Sequence, residues 1–472
     1  MPQLKRRDMT LRKTLATAAT TFALSLASLS MLSSEALASG FSTARFGGEH
    51  GHPTTTNATA VYYNPAGIAD SEGIHIYLDG SLALRSASYL HERGGADVDE
   101  PADAQGSNYG EATLFNLAAS PMVGATGKFG DFAVGLGFYV PFGGVAVWDK
   151  NAAFEGNTQY PGPEDGVQRW YAIEGTIRSM YLTLAAAYHI EPARLSIGVS
   201  GNIILSTIDT IRARNSDGSN NVQSEGRSYL NVSGTGGSFG VGAVFEAIPE
   251  ALWIGASYQS RPNISGGMSL EGTLQNKFGA GAASDPTDVT VRQDLPDIIR
   301  VGGRYRASES IELRLFGDFS RWSALKDQCI SAPDKECAVN EDGSEVEVGT
   351  VTQNIPRRWE DAFGVRAGLS YFPTPAAEVY SGLGYDGNAV PDETLEPGLM
   401  DFDDVSVTLG GRFEVVEKLH LGLSYTHIFY VQRDTTGKSK LSEYQSPSIV
   451  PDAGGIYNQT IGVVNANVEV QF

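Results

Sequence analysis

Helical periodicity is missing from this chain: helix formers never gather at a 3.6-residue spacing anywhere along its 472 residues. After residue 38 there is also no run of about 20 consecutive apolar residues, which excludes a membrane-crossing helix in that part. Cysteine is nearly absent. Cys329 and Cys337 are the only two, with seven residues between them in one polar stretch. A single pair supplies no tetrahedral metal set, and in an oxidising compartment it reads as a local loop disulfide. A redox-active or metal-binding pair is the alternative. Positive charge is scarce as well, 34 Lys and Arg against 55 Asp and Glu for a net −21, so nucleic acid is excluded as a partner. The chain has no HExxH, no Gly-rich phosphate loop after a strand and no recognisable Ser/His/Asp motif. An enzyme reading is therefore set aside, and no cofactor or metal is implied.

The amino terminus carries Lys5, Arg6, Arg7, Arg12 and Lys13, then an Ala/Leu-rich run from Leu15 to about Leu32, closed by Ala36-Leu37-Ala38. This is the order of a secretory signal peptide, residues 1–38, with cleavage after Ala38. A membrane-anchoring helix fits less well, because the run is short and interrupted by Thr and Ser. The segment holds five basic and two acidic residues, so its removal takes the net charge from −21 to −24. Such acidity suits a cell-surface protein whose loops hold divalent cations or stay well solvated.

What the chain does have is glycine (55), tyrosine (20) and alternation. Fourteen alternating stretches follow residue 73, at 74–90, 110–129, 132–143, 171–190, 193–212, 225–246, 251–272, 288–306, 310–326, 357–371, 376–388, 402–415, 418–433 and 456–472. Their connections alternate in length. Tight turns at Gly130-Asp131, Glu191-Pro192, Ile248-Pro249-Glu250, Ala307-Ser308-Glu309, Pro373-Thr374-Pro375 and Val416-Glu417 are interleaved with long polar loops. Short turns at one end and long loops at the other mark bacterial outer-membrane barrels.

Side-chain alternation agrees. Ile311, Leu313, Leu315 and Phe319 oppose Glu312, Arg314, Asp318 and Ser320, and Val405, Val407, Leu409, Phe413 and Val415 oppose Asp404, Ser406, Thr408, Arg412 and Glu414. A charge facing lipid at mid-membrane costs about 2–4 kcal/mol, so the charged set faces the lumen. Backbone groups in lipid must all be paired, which leaves a closed barrel as the β solution. The expectation is an all-β, 14-stranded antiparallel transmembrane barrel over residues 74–472 in the outer membrane of a Gram-negative cell. It would be a monomer surrounded by outer-membrane lipid and lipopolysaccharide. The alternating last strand, ending in Phe472, resembles the signal read by the barrel assembly machinery.

A barrel of this size is too wide for its own side chains to fill. Residues 39–73, which lack clear strand or helix pattern, are the natural stopper. Here the sequence resembles a known family. Asn64-Pro65-Ala66-Gly67 after Ala60-Val61-Tyr62-Tyr63 resembles the hatch motif of FadL-type transporters, and Ser39-Gly40-Phe41 looks like the start of their mature chains. Tyr139-Val140-Pro141-Phe142-Gly143 matches the end of their third strand. Leu295-Pro296-Asp297-Ile298-Ile299-Arg300-Val301-Gly302, with Trp322 after Asp318, resembles their middle strands, and the segment from Tyr385 to Asp392 their late loop. The resemblance spans residues 39–472. It implies an N-terminal hatch, 39–73, in a barrel that passively transports long-chain fatty acids or other hydrophobic molecules, captured at outer loops and released sideways where the third strand kinks.

In this chain Gly135, Gly137, Pro141, Gly143 and Gly144 punctuate that strand, so pairing should fail locally; a routine strand end at Pro141 is the plainer alternative. The resemblance places Phe41 near the inner pocket. Asn64, Pro65 and Ala66 would hold the hatch turn. A carboxylate head group needs a cation, and Arg85, Arg314, Arg366 and Arg412 face inward by alternation, although each could instead pair with a lumenal acid. The chain departs from the family at Glu49-His50-Gly51-His52-Pro53, where relatives are Gly/Ala-rich, and at Ser381, where many carry Arg. These departures bear on ligand identity; the His-x-His could also hold a metal, or simply be polar. The competing functions are a general porin for small polar solutes and a surface receptor or adhesin.

Overall fold

The computed structural model describes residues 45–94, 97–264, 267–278 and 283–472. The expected signal peptide, its cleavage site and Phe41 lie outside the described residues.

Nineteen β segments form one antiparallel sheet that closes on itself. They are β1 (Ile74–His91), β2 (Gly110–Phe129), β3 (Phe132–Val147), β4 (Glu174–Ile190), β5 (Leu195–Arg214), β6 (Gly226–Ile248), β7 (Leu252–Gln259), β8 (Met268–Lys277), β9 (Thr287–Gln293) and β10 (Ile298–Ser308). The remainder are β11 (Ile311–Ser320), β12 (Asp327–Ser331), β13 (Val351–Pro356), β14 (Ala362–Thr374), β15 (Ala377–Asp386), β16 (Asp404–Val416), β17 (Leu419–Tyr430), β18 (Arg433–Asp434) and β19 (Ile456–Gln471). In pairs, β7/β8, β9/β10, β11/β12, β13/β14 and β17/β18 are the two halves of single wall strands, which gives fourteen strands in all. Closure is made by β19, whose Gln471 to Ile456 run in register with His75 to Leu90 of β1. The chain is thus a closed fourteen-stranded barrel, as the alternation implies.

The outer wall is an apolar belt. Leu409 is 64 % exposed while Thr408 beside it is 2 % exposed, and Leu315, Leu423, Leu184 and Phe129 are similarly turned outward. An unbroken greasy ring of this kind is stable only against lipid. Tight turns close one end; Gly130 (φ 64°) and Lys418 (φ 70°) adopt the left-handed backbone their two-residue connections need.

Four adjacent strands differ from the expected unbroken stretches 251–272, 288–306, 310–326 and 357–371. Their upper parts, β8, β9, β12 and β13, are separated from the lower parts, and Pro262, Pro296 and Pro356 lie in or beside the breaks. Proline donates no ladder hydrogen bond, so the sheet bends there. The segments β12 and β13 fall where the sequence reads as loop 327–356. The reason is burial: Cys329, Ile330 and Ser331 are consecutive and all buried, so no two-residue alternation survives to be read. Cys329 is disulfide-bonded to Cys337, with Cα atoms 6.0 Å apart.

Most of the segment that precedes β1 is packed inside the barrel, and Glu72 at its end is exposed. Phe46, Ala58, Ala60, Asn64, Ala66 and Ala69 have no exposed surface. A single helical turn, Ala60–Tyr63, leads into a 3-10 segment, Pro65–Asp70, where the Asn64 side chain accepts from the Ala66 N–H at 3.1 Å. The Asn64 Nδ2 donates to Pro53 O (2.7 Å), Ala243 O (3.0 Å) and Ala256 O (3.3 Å), tying the segment to itself and to β6 and β7. The wall answers with missing side chains. A Cβ on Gly198 would stand 2.4 Å from the Ala66 nitrogen, and one on Gly242 2.0 Å from Asn64 Oδ1.

Candidate functional site

Two of the open spaces inside the barrel concern the cargo question, one of them bordered by the luminal segment. The inner chamber is lined by the segment's Arg45, Glu49 and His52 and by wall residues including Arg300, Arg366 and Asp386. Arg366 forks between Asp318 (2.9 Å) and Asp386 (2.6 Å), and Arg45 reaches Asp386 at 3.3 Å. Arg300 stacks 4.4 Å over the Tyr62 ring. Asp401, on the loop after β15, accepts from the Ala389 N–H at 2.8 Å, and burial pushes its carboxyl up to about 7. Arg45, Arg366, Asp318 and Asp386 thus form one ion-paired network on the wall of this chamber.

The outer chamber is bounded by the upper segments β8, β12 and β13 and by the upper part of β3. Ile177, Leu230, Leu274, Ile330, Ile355 and Trp359 give it an apolar lining, the character of a site for a hydrophobic guest. Three arginines enter it. Arg357 is neutralised by Glu396. Arg85 donates to Gln459 Oε1 (2.7 Å) and Val145 O (3.1 Å), and has no carboxylate partner among the described residues. The Arg212 guanidinium lines the chamber and has no hydrogen-bond or ion-pair partner among the described residues. Sequence reading missed Arg212. Its signal was the phase shared with Ile204 and Ile208, buried eight and four residues before it on the same face of the strand.

The four arginines picked out by alternation are therefore not gathered in one place. Arg85 is in the outer chamber and Arg366 in the inner one. Arg314 is sealed in the wall beside Glu312 (3.2 Å) and Glu378 (3.8 Å), with Nε and Nη2 lacking hydrogen-bond partners, and Arg412 is bound to Glu469 near the turn end. His50 and His52 also diverge. His50 Nε2 faces Glu378, whereas His52 Nδ1 accepts from Thr54 Oγ1 at 3.0 Å. Burial first, then Arg314 and Arg304, hold the His52 imidazole well below its usual range. Among the described residues no three His, Cys, Asp or Glu side chains converge on a metal position.

The third strand breaks its pairing beside the outer chamber. The β2–β3 ladder runs from Phe129↔Phe132 to Met122↔Tyr139 and stops, leaving residues 110–121 of β2 without β3 ladder partners. On the other side β3 stays paired with β4, with a register shift between Tyr139 and Phe142. The irregularity thus centres on Val140 and Pro141, and Gly143 and Gly144 lie past it. Gly137 does not belong to the break. It is paired with Gly124 and Thr183, and its lack of a Cβ admits the luminal Val61, 2.6 Å from where that atom would be. Above the break β3 lies against the inner face of the wall, where Val145 packs with Ala118 and Ala83.

Comparison with known proteins agrees with this architecture. Residues 16–450 match the model of the outer membrane protein transport protein family (OMPP1/FadL/TodX). The structure of a Pseudomonas aeruginosa FadL homologue superposes with a TM-score of 0.70 at 16 % identity, covering 93 % of this chain and 98 % of that one. The toluene transporter TbuX of Ralstonia pickettii gives 0.61 at 15 % identity over 93 % and 100 %. A Neisseria meningitidis serogroup B protein assigned to the outer membrane is 22 % identical over 389 residues, 79 % of this chain and 80 % of its own. At these identities the solved structures speak for the fold, and the family match speaks for membership. The chain belongs to the OMPP1/FadL/TodX family of outer-membrane transport proteins, β-barrel channels for hydrophobic compounds.

Proposed function

We propose that the cargo is a long-chain fatty acid or a similar anionic amphiphile. It is captured in the outer chamber and leaves sideways through the wall where β2 and β3 part. The observation that carries this reading is the pair Arg85 and Arg212. Both guanidinium groups enter an apolar space without a carboxylate partner among the described residues, so a guest's acidic head group meets cations not already neutralised. A neutral guest such as toluene would leave those charges unanswered. The interrupted β2–β3 ladder adjoins the same chamber and supplies the exit. The burial of the segment from Phe46 to Ala69 within the barrel argues against a general porin.

The test is direct binding. Purified protein in lipid nanodiscs should bind oleate, with oleyl alcohol and toluene binding at least tenfold more weakly. Equal affinity for acid and alcohol would refute the anionic cargo. In planar bilayers the same protein should pass ions poorly, whereas a large steady conductance would favour the porin.

A further inference from the structure

Above Met122 the edge of β2 and the facing backbone of β3 have lost their ladder, yet polar backbone at membrane depth must find partners. Side chains take over. The Asn116 amide donates through Nδ2 to Val147 O at 3.1 Å and accepts from Val147 N at 3.1 Å, so one side chain reproduces a two-bond ladder pair. Ser120 Oγ donates to Val140 O at 3.0 Å. Two residues from Val147, Val145 O receives Arg85 Nη1 at 3.1 Å. The apolar contact behind these bonds is small, Val145 on two alanines.

We propose that Asn116 and Arg85 form a latch that holds the upper half of β3 closed, and that the cargo's acidic head group opens it by drawing Arg85 away from Val145. This deepens the reading of the outer chamber as the cargo site and rests on it. Arg85 belongs to both structures: it lines that chamber, and it holds the strand that borders the exit. Its Nη2 donates to no described residue and is the point of first approach. A carboxylate is a stronger acceptor for guanidinium than an amide carbonyl, so the exchange is favourable once the head group arrives. Val145 O is then left unpaired, and only the Asn116 and Ser120 bonds and a small apolar contact keep β3 inward. Departure of the cargo restores the carbonyl bond and recloses the wall. A neutral guest of equal length fills the chamber without releasing the latch.

Spin labels on Leu117→Cys and Val147→Cys report the distance across this seam in nanodiscs. Adding dodecanoate should lengthen it by about one strand spacing, roughly 5 Å, while dodecanol, at occupancy checked by displacement of a labelled guest, should leave it unchanged. Arg85→Gln and Asn116→Leu should each populate the long distance with no guest present, folding being verified by heat-modifiable gel migration. If dodecanoate binds and the distance stays fixed, or if both guests lengthen it equally, the latch is wrong and the cargo reading stands. If dodecanoate does not bind at all, both fall.

Discussion

The His50 Nε2 lies 3.0 Å from each carboxylate oxygen of Glu378, joining the luminal segment to β15 on the turn side of the barrel. Glu378 also accepts from Ser370 and lies 3.8 Å from Arg314, so His50 closes a wall-to-plug network. Replacing His50 with Ala should loosen the segment by about 1–2 kcal/mol, the worth of a partly buried charge-assisted bond. Brief conductance bursts in planar bilayers, absent from the wild type, are the expected readout. An unchanged baseline would mean that the other contacts hold the segment without it.

Asn64 has a larger effect. Its substitution by Ala removes four hydrogen bonds and leaves Ala243 O and Ala256 O, both in the wall, without that donor. A loss of about 2–4 kcal/mol is expected in the local stability of residues 45–73. Hydrogen exchange should localise the loss to that segment and to β6 and β7, with the far side of the barrel unaffected.

Arg212→Met keeps the volume of the side chain and deletes its charge. Oleate affinity should fall roughly tenfold to a hundredfold, the range of a charge-assisted hydrogen bond, while affinity for oleyl alcohol stays level or rises. Arg212→Lys should recover part of the loss. An equal fall for acid and alcohol would assign Arg212 to packing alone.

Asp401 ties the loop after β15 to Ala389, and its carboxyl sits at about 7 against 3.8 in the unfolded chain. The raised value means the protonated form is favoured in the folded state. Its contribution is complete below about pH 4 and disappears as pH rises through 7. Between pH 5 and pH 8 the folded protein should lose on the order of 2 kcal/mol from this group, and Asp401→Asn should remove that part of the slope. Denaturant titrations of the two proteins across this range make the comparison.

Much of the barrel is legible in the sequence because its physics is local. Along β11 and β16 one face meets lipid and the other the lumen, so alternation writes the strand directly into residue order. The turns are equally plain, and the Asn64-Pro65 step marks the stopper. Legibility ends where both faces are covered, as in β12, and where a break depends on how four neighbours bend together. The candidate site is harder still. Alternation says that Arg85, Arg314, Arg366 and Arg412 point inward, yet which of them meets a carboxylate depends on register between distant strands. Glu378 beside Arg314 and Glu469 beside Arg412 come from strands 64 and 57 residues further along the chain.

The glycines that receive the luminal segment have a consequence for how this protein can be re-engineered. At Gly137, Gly198 and Gly242 the wall is a mould whose hollows match Val61, Ala66 and Asn64 one for one. Stopper and cylinder are therefore a matched pair. Grafting residues 45–73 from a relative with different bulk at those three points would leave a leaking or misassembled chimera, unless the three hollows were recut at the same time.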